Sequence, residues 1–169
     1  MIAAIPDVLK GLESHIFNGE VYPNFFRIPD ERAPVLRALP LQAGRESLVA
    51  GLRITTIPVN HIVPTVGYVI EQHGRSVLFS GDTYDTDQLW KVAARLPRLS
   101  AVFIETSFPD DMLDLARVSR HLTPALMSKQ LEKLDRPNVP VYVYHMKPKF
   151  ESRIRAELRL EEGQEVVRA

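Results

Sequence analysis

The sequence predicts a mixed α/β fold in which a sheet is covered on one side by helices. Strand-like segments come first and alternate with helices afterwards, the order expected of layered α/β and α+β proteins. The hydrophobic period also changes after Asp82, from alternation to helical spacing. In the helical part, Ala101–Ile104 and Val141–Tyr144 are short apolar runs that read as buried strands.

Each element follows from local chemistry. Residues 5–14 suit a short helix, and residues 22–34 read as an irregular connection punctuated by Pro23, Pro29 and Pro34. Val35–Leu41 is a strand candidate that Pro40 confines to an edge. Leu52–Val59 alternates, with Thr55 and Thr56 adding β-propensity. Thr65–Gln72 and Ser76–Phe79 flank His73-Gly74-Arg75 as a hairpin. Leu89, Val92, Ala93 and Leu96 then recur at helical spacing, capped by Asp85 or Thr86 and stopped by Pro97. A helix follows from Asp110 to about Ser119. Thr123-Pro124 opens another, since threonine caps and proline fits the first turn. Its residues Leu126, Met127, Leu131 and Leu134 share one face. Phe150–Leu158 is a final amphipathic helix. With no repeat, low-complexity tract or linker, residues 1–169 read as a single domain.

Composition narrows the chemistry. Hydrophobic residues are 45% and charged residues 25%, an ordinary globular balance. Lys+Arg and Asp+Glu both number 21, so no net positive charge argues for nucleic acid or an anionic membrane. The chain has no cysteine, which excludes disulfides, thiolate metal sites and a cysteine nucleophile. A metal would rest on histidine and carboxylate, a donor set that suits Zn, Mn or Fe. No stretch reaches 18 apolar residues and the N-terminus does not read as a signal peptide, so a cytoplasmic chain is expected.

The candidate functional residues stand at strand ends. Asp82 follows Ser80-Gly81 at the end of an apolar strand, where ligands collect in layered α/β proteins; its ordinary alternative is a helix or turn cap. His61 follows Leu52–Val59 and His145 ends Val141–Tyr144, both positions suited to a neutral imidazole ligand or to a hydrogen-bonded core histidine. His121 precedes the Thr123-Pro124 helix start, where it could meet an anion or act as a general acid. Glu105 ends Ala101–Ile104, placed to orient His121 or to pair with an arginine. His73 reads as a solvated turn residue, and His15 is ambiguous.

Taken together, His61-x5-Gly67-Tyr68, Gly81-Asp82-Thr83, Glu105-Thr106-Ser107-Phe108, His121-Leu122-Thr123-Pro124 and His145-Met146-Lys147-Pro148 resemble the second half of the metallo-β-lactamase fold. With His15-Ile16-Phe17-Asn18, the series is most similar to the class II 3′,5′-cyclic-nucleotide phosphodiesterases, over about His15 to Leu158. The tRNA 3′-processing endonucleases carry a similar arrangement. The resemblance implies half of an αββα sandwich. It also implies His61, Asp82 and His145 as metal ligands, with Asp82 bridging two zinc ions, and His121 as a catalytic group oriented by Glu105. The implied reaction opens a cyclic nucleotide to its 5′-monophosphate, and the family also includes exported members. The family's His-x-His-x-Asp-His cluster is absent ahead of His61. The expectation is therefore a fragment of a longer chain or a product of an internal start, with weak metal binding and little activity. The alternatives are a non-catalytic nucleotide-binding or dimerisation module, a second copy covering the sheet face left open, and a phosphodiesterase of the tRNA 3′-processing type, against which the neutral charge argues.

Overall fold

The computed structural model describes residues 1–136, 138–158 and 164–166. In chain order the elements are β1 (Ile2–Ala4), α1 (Pro6–Gly11), β2 (Ala38–Pro40), β3 (Glu46–Val49), β4 (Leu52–Pro58), β5 (Val66–Gln72) and β6 (Arg75–Phe79). There follow α2 (Asp87–Ala93), β7 (Leu99–Glu105), α3 (Leu113–Ser119), α4 (Pro124–Glu132), β8 (Val141–Tyr144), α5 (Glu151–Glu157) and β9 (Gln164–Val166). Strands β3 to β9 form one seven-stranded sheet in sequence order. The pairings from β3 to β6 are antiparallel and those from β6 to β9 are parallel.

That order decides where the helices lie. Each parallel step adds the next strand on the same side, and right-handed crossovers then carry every connecting helix to the same face. The core confirms the layering. Ile57, Val69, Leu78, Val102, Ile104, Val141 and Val143 of the sheet cluster with Leu89, Trp90, Ala93, Met127 and Ile154 of the helices. On the opposite face, register sets Tyr68 beside Phe79 and Phe79 beside Phe103, with Tyr142 next in line. The Phe79 and Phe103 rings stack at 4.5 Å and those of Phe103 and Tyr142 at 4.9 Å. These side chains are half-buried.

Some boundaries differ from the sequence reading. Only Ala38–Pro40 of the expected strand Val35–Leu41 is extended, and it pairs in parallel with β1 in a separate two-stranded sheet. Pro34 and Pro40 shorten it, since neither can donate to a ladder. The edge of the large sheet is β3 instead. It reaches β4 through Ala50 and Gly51, both at positive φ (50° and 83°), as a tight twisted hairpin turn requires. The first helix runs on past Gly11 as a looser turn over Leu12–Ile16, closed by Phe17 N–H on the Leu12 carbonyl at 2.8 Å. The helix expected from Asp110 begins as a 3₁₀ turn, Asp110–Met112. Thr123 caps α4 as expected, its hydroxyl accepting from Leu126 N–H. No helix among the described residues is long and apolar enough to cross a membrane.

Candidate metal centre

Topology gathers the candidate residues at one end of the sheet. β6, β7 and β8 are parallel, so Asp82, Glu105 and His145, which end or follow them, emerge together. β4 lies two antiparallel steps from β6 and so runs the same way, which brings His61 to the same end. Two glycines let the backbones close in there. A Cβ on Gly67 would sit 2.8 Å from the carbonyl oxygens of both Phe79 and Ser80. Gly81 has φ +64°, and a Cβ there would lie 2.6 Å from the Val66 carbonyl oxygen. Only glycine fits either place.

The side chains then converge. Donor atoms of His61, Asp82 and His121 lie within 4.8 Å of one another. The ring centroids of His61 and His121 are 4.9 Å apart, and those of His121 and His145 are 5.5 Å apart. His145 Nε2 stands 3.4 Å from Asp82 Oδ2. His145 itself takes the left-handed conformation (φ 63°), which turns the chain sharply at the end of β8. All five residues singled out from the sequence thus meet in one place. Neither His15, exposed in the turn after α1, nor His73, in the hairpin turn, belongs to the cluster.

Hydrogen bonds fix the imidazoles. His61 Nδ1 lies 3.1 Å from the Arg120 carbonyl oxygen, which can only accept, so Nδ1–H donates and Nε2 keeps its lone pair. His121 Nδ1 donates to Glu105 Oε1 at 2.7 Å, again leaving Nε2 free. Glu105 is fully buried, and its oxygens also accept from Thr83 N–H (3.0 Å), Leu122 N–H (3.3 Å) and Ser107 Oγ–H (3.1 Å). Arg120 is a part of the site that spacing did not reveal, because nothing in its local pattern separates it from ordinary loop residues, and Ser107 enters the sequence reading only within the Glu105-Thr106-Ser107-Phe108 motif, with no role of its own. Tyr144 sits beside the cluster, with its hydroxyl 3.4 Å from Ser80 Oγ. Burial, reinforced by the charges of Asp82 and Glu105 and partly offset by the Ser80 hydrogen bond, pushes its phenol up to about 12.

The donor set fits a metal ion. Imidazole and carboxylate donors sit about 2.0–2.2 Å from zinc, so donors sharing one ion stand no more than ~4 Å apart. His61, Asp82 and His121, with donor atoms within 4.8 Å of one another, stand close to that spacing. The sequence expects His145 among the ligands and His121 beside them. His61 and Asp82 are common to both sets; His121 joins them within 4.8 Å, and His145 stands 3.4 Å from Asp82. Two imidazoles held by second partners in the tautomer that offers Nε2 are what metal binding requires.

The sequence matches the family model of the beta-lactamase superfamily domain over residues 4–146. The chain belongs to the beta-lactamase superfamily. Solved structures of similar fold include the metallo-beta-lactamase fold protein YhfI from Bacillus subtilis, at TM-score 0.64 and 13% identity, covering 78% of this chain and 53% of that one. Zn2+-bound PqqB from Methylobacterium extorquens matches at TM-score 0.62 and 16% identity, over 98% of this chain and 61% of PqqB. The short form of human tRNase Z matches at TM-score 0.52 and 13% identity, over 69% of this chain and 40% of that enzyme. At these identities the likeness speaks for the fold alone. The superfamily chain described here spans about half the length of the first of these structures. No curated protein matches it.

Proposed function

We propose that this chain carries the second-half residues of a metal-dependent phosphodiester hydrolase whose substrates are 3′,5′-cyclic nucleotides. The observation that carries the reading is the convergence of His61, Asp82 and His121, with His145 against Asp82 and a buried carboxylate behind His121. His61, Asp82 and His145 would hold the metal. When bound, a zinc-type ion polarises the phosphoryl group and lowers the pKa of a water molecule.

The two buttressed histidines differ in a way that divides their labour. A carbonyl behind an imidazole fixes its tautomer, whereas a carboxylate can also compensate a positive charge on it. His61 is backed by a carbonyl and His121 by Glu105. His61 therefore suits a neutral ligand, and His121 suits a proton donor acting through Nε2. In the proposed reaction the oxygen of water joins phosphorus and gives up a proton to His121 Nε2, the P–O3′ bond breaks, and His121 passes that proton to the departing O3′. The choice of cyclic nucleotides rests on the sequence resemblance. Tyr68, Tyr84 and Tyr144 near the site ends of β5, β6 and β8 offer no base-reading pattern of their own.

The test measures zinc content and turnover of cAMP, cGMP and a 3′-extended tRNA by the zinc-, manganese- or iron-loaded whole enzyme that carries these residues and by its variants, since little activity is expected of this chain alone. Asp82→Ala is expected to lose both metal and hydrolysis. His121→Ala is expected to lose at least 100-fold in turnover while keeping its metal. Equal metal loss in both variants would make His121 a ligand and overturn the division of roles. Cleavage of the tRNA end alone would move the substrate to the class that human tRNase Z represents.

A second reading is favoured by the aromatic row Tyr68, Phe79, Phe103 and Tyr142 on the sheet face away from the helices. An aromatic row can pack on its own copy, as a two-fold contact requires, and the proposed occupant is a second copy of the chain. The two readings are compatible, because the row faces away from the helices and the site lies at the strand ends.

A further inference from the structure

Arg120 occupies a position where glycine is the ordinary choice. It follows α3 in the left-handed conformation (φ 54°), closing the helix as a C-terminal cap that a side chain adopts only at a cost. Its backbone and side chain both turn toward one loop. The Arg120 carbonyl accepts from His61 Nδ1–H at 3.1 Å. The guanidinium Nη1 donates to Asn60 Oδ1 at 2.8 Å and to the His61 carbonyl at 3.2 Å. Among the described residues no carboxylate pairs with it, so these neutral acceptors are where its charge is spent. The next residue, His121, is the other buttressed imidazole, its own N–H tied to the Ala116 carbonyl at 2.9 Å.

The loop that Arg120 grips has no strong hold of its own on this side. It runs from the end of β4 to the start of β5 and exposes Ile62 (60%) and Val63 (57%). Asn60 is anchored from the other direction, its N–H on Thr86 Oγ1 at 2.9 Å and its amide on the Asp85 carbonyl at 3.3 Å. His61 thus sits between one clamp on the loop after β6 and a second on the end of α3.

We propose that Arg120 is a positioning residue whose guanidinium, by gripping Asn60 and the His61 carbonyl, holds the His61 ring on the Arg120 carbonyl in one orientation and one tautomer, and so couples the His61 and His121 segments into one metal-binding unit. This rests on reading His61 as a ligand. Partners of this kind behind a ligating imidazole are worth about 10- to 100-fold in metal affinity.

The test compares wild type with Arg120→Gly, which keeps the favourable left-handed backbone and its carbonyl but removes the guanidinium, and with Arg120→Lys. Three readouts are needed: the 15N resonances of the His61 ring in the metal-free chain, zinc affinity by chelator competition, and the urea unfolding midpoint. Arg120→Gly is expected to show mixed His61 tautomers and a 10- to 100-fold loss of zinc affinity at an unfolding midpoint equal to or above wild type. Lysine, able to reach one acceptor, is expected to restore part of the affinity. A single wild-type tautomer in Arg120→Gly, or affinity within twofold of wild type, would overturn the proposal. Should that variant not fold, Asn60→Ala, which removes the guanidinium's partner from the other side, carries the same expectation and the same refutation. A His61→Ala control separates the two ideas. Unchanged zinc affinity there overturns the ligand reading, while the tautomer result still decides whether Arg120 positions the ring.

Discussion

Four donors point at the carboxylate of Glu105, two from backbone amides, one from a serine hydroxyl and one from an imidazole. Removing the acceptor would leave the Thr83 and Leu122 amides buried without partners, each costing about 1–3 kcal/mol. Glu105→Ala should therefore lower the stability read from urea unfolding by about 3–5 kcal/mol, beyond any effect on turnover. Gly81 is a second point where one residue decides. Alanine there would meet both an unfavourable φ and the Val66 carbonyl, and should cost about 2–3 kcal/mol in the same assay. Tyr144 gives a spectroscopic test. Its phenol is held neutral to about 12, against an ordinary value near ~10. That preference stabilises the fold fully below the ordinary value and is lost as pH rises through about 12. An absorbance titration should show a late tyrosine step that Tyr144→Phe abolishes. At this scale the sequence singled out His61, Asp82, Glu105 and His145 because each lies at or just past the end of a strand, and His121 because it precedes the Thr123-Pro124 helix start. It told nothing about Arg120, whose importance comes from a backbone conformation and a partner 60 residues away.

The elements with clear periodicity were legible because their local chemistry agrees with their place in the fold. α4 is announced by Thr123-Pro124 and β8 by four consecutive apolar or aromatic residues, and both stand where expected. β1 and β3 were not, being three and four residues long and owing their extension to partners distant in sequence or to a turn. Between elements, Lys133 just past α4 binds Asp85 and Asp87 at the start of α2. The Lys133 hydrogen bond holds the Asp85 carboxyl below the usual carboxylate range. Burial alone would pull the Lys133 ammonium down, but its bonds to the two aspartates outweigh that and hold it up. The depressed carboxyl contributes stability above its ordinary value near ~3.9 that is lost as pH falls through the lowered one. The raised ammonium contributes below its ordinary value near ~10.4 and loses that contribution at higher pH. Because these groups are partly or largely exposed, Lys133→Met should cost only about 0.5–1 kcal/mol at pH 7. The difference in urea midpoint should shrink as pH falls through the lowered Asp85 value.

At the scale of the molecule, one-sided layering leaves an aromatic row facing away from the helices. If a second copy covers it, Phe103→Lys should convert a dimer into a monomer by light scattering without changing zinc content; a wild-type monomer at micromolar concentration would remove that reading. That helices occupy one face could be read from the order of elements, but the in-register alignment of Tyr68, Phe79, Phe103 and Tyr142 depends on strand pairing, which spacing alone does not set. The same architecture separates what the fold needs from what the chemistry needs. Glu105 stitches the loop after β6 to the segment between α3 and α4, and a lineage that had stopped turning over substrate would still be obliged to keep it. Asp82 is different. Its carboxylate is about one-third exposed and, among the described residues, meets the nearby imidazoles and no backbone amide. A residue so idle in the scaffold has nothing to anchor it once its chemistry is gone. Across a set of related chains, then, Asp82 and not Glu105 should mark those that still work.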